Sequence, residues 1–253
     1  MDLKQANVLI TGGSEGIGLG LASRFLAAGS NVIITGRNAE KLEKAAQKLS
    51  GLRTYTNDIS NAEQREVLAK YIRGNMPELN ILINNAGIQR RVSLASDKAS
   101  WQERQVEIDT LLSGPVHLND LLIPLILSNN KQGIIINVTS GGAYIPQVFA
   151  PVYSACKAAL HSYTMTLRHA LANTNCRVVE LIPPAVQTSL AGQGSTHGAP
   201  LDEFCDEVFP MLTKNGITEV GFGATKALIP ELSGQKVEDI FKNSVPRFPV
   251  ETY

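Results

Sequence analysis

Neither sign of charge prevails in this sequence: Lys plus Arg and Asp plus Glu are 23 each, for a formal net charge of zero. A nucleic-acid binder needs basic excess to neutralise phosphates, and an acidic tail would show as a run of like charge, so neither class fits. Cysteine is scarce as well. Cys156, Cys176 and Cys205 are odd in number and lack CxxC spacing, which argues against a disulfide framework and suits a reducing compartment. No uninterrupted apolar run reaches the roughly 18 residues of a membrane span, and "MDLKQANVLITGG" enters a strand pattern without a signal-peptide core. The expectation is a cytoplasmic chain that meets neither membrane nor nucleic acid and takes a small molecule as ligand.

What is present is alternation. Short β-branched runs, "NVLIT" (7–11), "NVIIT" (31–35), "LRTYT" (52–56), "LNILIN" (79–84), "GIIINV" (133–138) and "CRVVELI" (176–182), are separated by segments of helical periodicity. Such alternation predicts a doubly wound parallel sheet with helices on both faces, and 253 residues suit one domain spanning 1–253. Ligands of such sheets lie beyond the carboxyl ends of the strands. The Gly-, Ser- and Thr-rich stretch 185–204 has the composition of a mobile substrate loop at those ends. The glycosylation triplet at Asn137 lies in an apolar strand run and carries no weight.

After the first strand, "TGGSEGIG" places Gly12, Gly16 and Gly18 where a helix opens, leaving bare N–H groups and a partial positive charge for a pyrophosphate. The general G-x-G-x-x-G pattern fails, because Leu21 stands where Gly16 and Gly18 would require the third glycine. The spacing T-G-x-x-x-G-x-G is met instead. Further on come "NDI" with Asp58, "NNAG" at 84–87, and Ser140, Tyr153 and Lys157 separated by thirteen and then four residues.

Together these motifs resemble the short-chain dehydrogenase/reductase family over residues 7 to about 190. The resemblance implies a Rossmann-type fold. It implies a nicotinamide cofactor held by Gly12, Ser14, Glu15, Gly16, Ile17, Gly18, Arg37, Asp58, Ile59, Asn85, Ala86, Gly87, Tyr153, Lys157, Pro183, Val186 and Thr188. "PPAVQT" departs from the family's Pro-Gly-x-x-x-Thr at Pro184, and "SGQKVEDIFKNSVPRFPVETY" lacks the Gly-rich tail of many tetramers. Both features resemble the branch that includes the oxidoreductase of the D-alanyl-lipoteichoic-acid gene cluster, which names no substrate. The second strand ends "TGRN", with Gly36 where an acid would hold a 2′-hydroxyl and Arg37 suited to a 2′-phosphate. NADP (NADPH) is favoured over NAD, although Glu15 in the glycine turn would repel a phosphate unless it faces solvent.

Reduction of a carbonyl leaves an alkoxide that needs a proton, and Tyr153 can supply it. One helical turn on, Lys157 shares its face; a cation ~4 Å away at an effective dielectric of ~20 would lower the phenol's pKa by at most ~3 units. Ser140 would hydrogen-bond the substrate oxygen. No metal is expected: Cys156 reads as a packed small residue, and His161 and His169 as ordinary polar positions.

The family's Asn in the helix after the fourth strand is replaced by Leu111. Pro115, lacking an N–H, should bend the helix and free the Leu111 backbone carbonyl to serve the same proton relay. Gly141, Gly142, Tyr144, Val148, Phe149, Ala185 and Leu190 are expected to line the substrate pocket, with Gln89, Arg90 and Arg91 at its mouth. The mostly apolar set suits an aryl or alkyl ketone or aldehyde, or the matching alcohol. Helices at 101–127 and 151–173 carry apolar surplus, as expected of a homodimer or homotetramer. The competing reading is an NADP(H)-binding sensor or scaffold with little turnover.

Overall fold

The computed structural model describes residues 2–129, 131–192, 196–228, 231, 239–240, 243 and 245–247. Most of the tail 233–253, on which the tetramer argument drew, lies outside them. Strands β1 (Asn7–Ile10), β2 (Asn31–Gly36), β3 (Arg53–Thr56), β4 (Ile81–Asn84), β5 (Gly133–Val138), β6 (Cys176–Ile182) and β7 (Glu219–Gly221) form one parallel sheet in the order 3-2-1-4-5-6-7. The six expected strands are present. The seventh was missed because "EVG" is too short to show a pattern.

Alternation along each strand explains the two helical layers. Val8 and Ile10 point to one face, packing with Leu21 and Phe25 of α1 (Gly16–Ala27) and Phe204 and Val208 of α7 (Leu201–Thr213). On that side also runs α2 (Ala39–Lys48), through Leu42 and Ala45. Leu9 points the other way, towards Leu68 and Ile72 of α3 (Ala62–Asn75) and Leu118, Leu122 and Ile126 of α5 (Gly114–Ser128). Each fully buried Leu or Ile contributes about 1.5–3 kcal/mol, so the hydrophobic term specifies both faces.

Between β4 and α5 the chain forms α4 (Trp101–Ile108), opened by a capping box between Ser100 and Glu103. A π turn over Asp109–Ser113 follows, with the Gly114 N–H donating to the Asp109 carbonyl. The continuous helical run 101–128 is long and apolar enough to cross a membrane, with mean hydropathy 1.4 over its most apolar window. The sequence expectation missed this because charged and polar residues interrupt the run. Leu118, Leu122 and Ile126 nevertheless face the sheet. Helix α6 (Pro151–Ala170) packs beside α4, and a short α8 (Ala224–Leu228) follows β7.

Polar side chains join the central strands. Asn84 and Asn137, paired in register, share a hydrogen bond of 2.8 Å; Asn84 also donates to Asn119 at 2.9 Å, and Asn137 to Thr164 of α6 at 2.9 Å. Asn137 is fully buried, so its triplet offers no surface for a glycan. Asn137→Ala strands two buried partners and should lower the unfolding free energy by about 1–3 kcal/mol. Urea denaturation measures it, and unchanged stability would contradict the network's role.

Candidate active site

The strand order reverses between β1 and β4, and a cleft opens beyond their carboxyl ends. Thr11 ties the two ends together: its hydroxyl accepts from the Asn85 and Ala86 N–H groups, each at 3.1 Å. The Asn85 amide donates to the Thr11 and Gly12 carbonyls at 3.0 and 2.9 Å. Gly12 is required here, since at φ 64° a Cβ would lie 2.6 Å from the Ala86 Cα. Gly18 does not line the cleft as expected. It is buried under the turn, where a Cβ would meet the Asn85 amide nitrogen at 2.5 Å.

The nucleotide half of the cleft is a cavity of about 460 Å³ bordered by Gly12, Ser14, Glu15, Gly16, Ile17, Arg37, Asp58, Ile59, Asn85, Ala86, Gly87 and Thr188. It fits a dinucleotide on two counts. No side chain caps the start of α1, so its first N–H groups remain for phosphate. Lys41, which the sequence reading missed, stands with Arg37 at the far rim and pairs with Glu15 at 2.9 Å. Burial acts to raise the Glu15 carboxyl, but hydrogen bonds from Lys41 and Ser189 outweigh it and hold the group below its usual range. Asn38, the N-cap of α2, places Lys41 by accepting from its backbone N–H at 2.9 Å. Asp58 keeps one carboxylate oxygen on Ser60, at 2.7 Å from the hydroxyl.

The reacting half is a cavity of about 480 Å³ that shares Ile17, Asn85, Gly87, Gln89, Thr188 and Leu190 with the first. Ser140, Tyr153, Lys157, Pro183 and Val186 form its wall. Ser140, at the end of β5, accepts from the Gly142 N–H at 3.1 Å and interacts with the Tyr153 hydroxyl. Lys157 donates to the Val138 carbonyl at 2.6 Å, and its ammonium sits 5.6 Å from the Tyr153 ring centre.

Burial dominates the titration of this wall. It pushes the Tyr153 phenol up, with Ser140 opposing, and pulls Lys157 down to about 8. The expected lowering of Tyr153 by Lys157 is therefore not found: both groups are deeply buried, and the ammonium is turned to the Val138 carbonyl.

Gly141, Gly142, Val148, Phe149, Ala185, Leu190, Gln89 and Arg91 line this cavity as expected, joined by Ile145, Pro146, Gln147, Leu228, His197 and Arg247. Arg91 lies over the Phe149 ring at 4.9 Å. Two expected residues do not border it. Tyr144 turns to His161 and Glu180, and Arg90 pairs with Asp97 at 3.1 Å while its N–H donates to Glu107. His161 is no ordinary polar position, for it contacts the buried Glu180 at 2.8 Å. His169 is exposed. Cys156 is buried and its thiol is pushed up to about 11 by burial, as suits a packing residue.

The stretch 185–204 is tied at its neck. Val186 bridges Ala199, the Gln187 N–H donates to the Ala199 carbonyl at 2.9 Å, and residues 201–204 are the first turn of α7. Around Pro115 the helix does more than lose one bond: the π turn takes up the discontinuity, and Leu111 is buried against Tyr153, Cys156 and Ala150.

The switch-point cleft, the uncapped helix start and the Ser, Tyr and Lys wall define a nucleotide-dependent oxidoreductase on a Rossmann-type sheet. The chain belongs to the short-chain dehydrogenase family, whose model matches residues 6–197, and is an NAD(P)-dependent oxidoreductase. It is 42% identical to the uncharacterized oxidoreductase DltE of Bacillus subtilis over 190 residues, 75% of each chain. Serine 3-dehydrogenase of Agrobacterium fabrum is 31% identical over 182 residues, 72% of each. A short-chain dehydrogenase from Burkholderia cenocepacia, solved with NADP, superposes with a TM-score of 0.81 at 25% identity, covering 96% of this chain and 98% of that one. Serine dehydrogenase in its closed form with NADP⁺ gives 0.77 at 26% identity, covering 87% and 95%.

The Lys157 value fixes a stability dependence. The unfolded chain holds this proton up to about 10.5 and the folded chain only to about 8, so between those values the unfolded state binds more protons and folding gains as pH rises. Urea unfolding of wild type and Lys157→Met should show the difference moving in the wild type's favour across that window. A difference independent of pH would contradict the buried ammonium.

Proposed function

We propose that this protein uses NADPH to reduce an apolar ketone or aldehyde, or runs the reverse oxidation of the alcohol. The observation that carries the reading is the convergence of Ser140, Tyr153 and Lys157 on one wall of a cavity continuous with the nucleotide cradle. When bound, NADPH supplies the hydride. Tyr153 gives its proton to the substrate oxygen, and Ser140 holds that oxygen by a hydrogen bond. The raised phenol pKa keeps Tyr153 protonated and ready as an acid near neutrality. Lys157 would hold the ribose hydroxyls of the cofactor and return a proton to Tyr153, with the Leu111 backbone carbonyl standing in for the family's Asn in that relay. Ile145, Val148, Phe149 and Leu190 supply the apolar surface for the body of the substrate.

Arg37 and Lys41 favour the 2′-phosphate of NADP, and Glu15, already paired to Lys41, does not oppose it. Two solved relatives, the Burkholderia cenocepacia dehydrogenase and serine dehydrogenase, were obtained with NADP, in agreement with this choice. Exposed Trp101 and Val106 on α4 and Met165 on α6 support self-association of a cytoplasmic enzyme through those helices.

Tyr153→Phe should lower carbonyl reduction by about 10²–10⁴-fold while leaving NADPH affinity within a few fold. A carbonyl panel including aryl ketones, followed by NADPH absorbance, decides this; a wild type that binds NADPH but reduces nothing would favour the sensor reading. The double variant Arg37→Ala/Lys41→Ala should raise the KM for NADPH about tenfold or more and leave NADH nearly unchanged. Equal losses with both cofactors would remove the phosphate assignment.

A further inference from the structure

Behind the reacting wall lies a buried cluster around Glu180 that takes no direct part in the hydride or proton transfer. Glu180 of β6 is completely buried and stands in register opposite Asn137 of β5, so its side chain faces α6, where Asn137 bonds Thr164. Three donors converge on its carboxylate. The His161 Nδ1–H donates to Oε2 at 2.8 Å, and the Thr139 and Tyr144 hydroxyls donate to Oε1 at 2.6 and 3.4 Å. His161 lies one helical turn beyond Lys157 on the same face of α6. Lys157 is itself anchored to the carbonyl of Val138, the residue before Thr139. Ammonium and carboxylate thus approach the end of β5 from adjacent positions.

We propose that Glu180, locked by Thr139, Tyr144 and His161, is the buried counter-ion of Lys157, a positioning residue that keeps this lysine protonated for the reaction. The inference rests on the proposed carbonyl chemistry for its functional meaning. A buried ammonium is costly unless an anion compensates it, and Lys157 is only 3% exposed. Burial lowers its pKa, and the two groups that act against this are Cys156 and Glu180. Cys156, pushed up to about 11, is neutral at pH 7 and supplies no charge. Glu180 is left as the anion.

The remaining charged neighbours do not replace it. Arg168 of α6 and Glu219 of β7 face His161 and pair with each other at 3.6 Å. Glu107 of α4 acts on Tyr153 and Cys156, and is not among the groups that act on Lys157. The Glu180 hydrogen bond is the largest influence raising His161, whose side chain, 24% exposed, links the cluster to solvent.

The test follows the Lys157 side chain directly, by NMR titration of the ¹³C-lysine-labelled full chain, with the resonance assigned by its loss in Lys157→Met. Glu180→Gln should move the Lys157 midpoint down by about one pH unit or more. Glu180→Asp, which keeps the charge, should hold it within about half a unit, and serves alone if the Gln variant does not fold. His161→Gln removes a second group that the Glu180 carboxylate holds and should leave the midpoint in place or raise it. An unchanged midpoint in folded Glu180→Gln, or a downward shift in either other variant, overturns the proposal.

If carbonyl reduction is measured, the alkaline limb of kcat/KM should fall in parallel with the NMR midpoint and activity should recover at lower pH. Equal loss at every pH would mark Glu180 as merely structural. A shifted midpoint in a protein that reduces no carbonyl would instead overturn the proposed reaction and leave the counter-ion assignment standing.

Discussion

The tie between the carboxyl ends of β1 and β4 governs the rest of the site. Four hydrogen bonds cross that junction, two accepted by the Thr11 hydroxyl from the Asn85 and Ala86 N–H groups and two donated by the Asn85 amide to the Thr11 and Gly12 carbonyls, so the glycine turn and the "NNAG" segment are one rigid unit. Backbone packing at Gly12 against Ala86 leaves no room for a side chain between them. The nucleotide cradle therefore inherits its shape from strand pairing, and the reacting wall, carried by the next strand and α6, is set at a fixed distance from it. A flexible loop could not give this constancy; a parallel sheet buried on both faces can.

Much of this was legible because buried parallel strands read as short uninterrupted apolar runs, and glycines mark the places where backbone meets ligand or backbone. Tyr153 and Lys157 were legible by their spacing. The electrostatics were not. The sequence shows that a cation lies one turn from a phenol, but only the fold shows that both are buried and that burial raises the phenol and lowers the lysine. Lys41 escaped notice because it lies in an amphipathic helix full of solvated lysines, and its role comes from the carboxylate of Glu15, 26 residues earlier. Glu180 and His161 escaped for a related reason: each is unremarkable in its own element, and the pair exists only where β6 passes α6. Tyr144 and Arg90, read as pocket residues, are held elsewhere, Tyr144 by His161 and Glu180 and Arg90 by Asp97 and Glu107.

The cleft also shows how a one-sided feature becomes usable. Glu15, in the nucleotide turn, would disfavour a phosphate as a lone carboxylate. With Lys41 at 2.9 Å it becomes a brace that aims a cation at the rim, so the same residue changes meaning with its partner. The Gly-rich stretch after β6 makes a parallel point. Its composition suggests freedom, yet its neck is closed by backbone pairing between Val186 and Ala199.

The π turn at Asp109–Ser113 has the effect of a reading-frame shift in three dimensions. One extra residue in a helix advances the phase by about 100°. Residues before and within it consequently belong to a different face of the helical run from those after it: Ile108 and Leu111 pack with Tyr153 and Cys156, while Leu118, Leu122 and Ile126 turn to the sheet. A single helix thereby serves as a wall of the core along one half and a floor of the reaction chamber along the other, and removing one residue from the turn would rotate one of these out of register with the other.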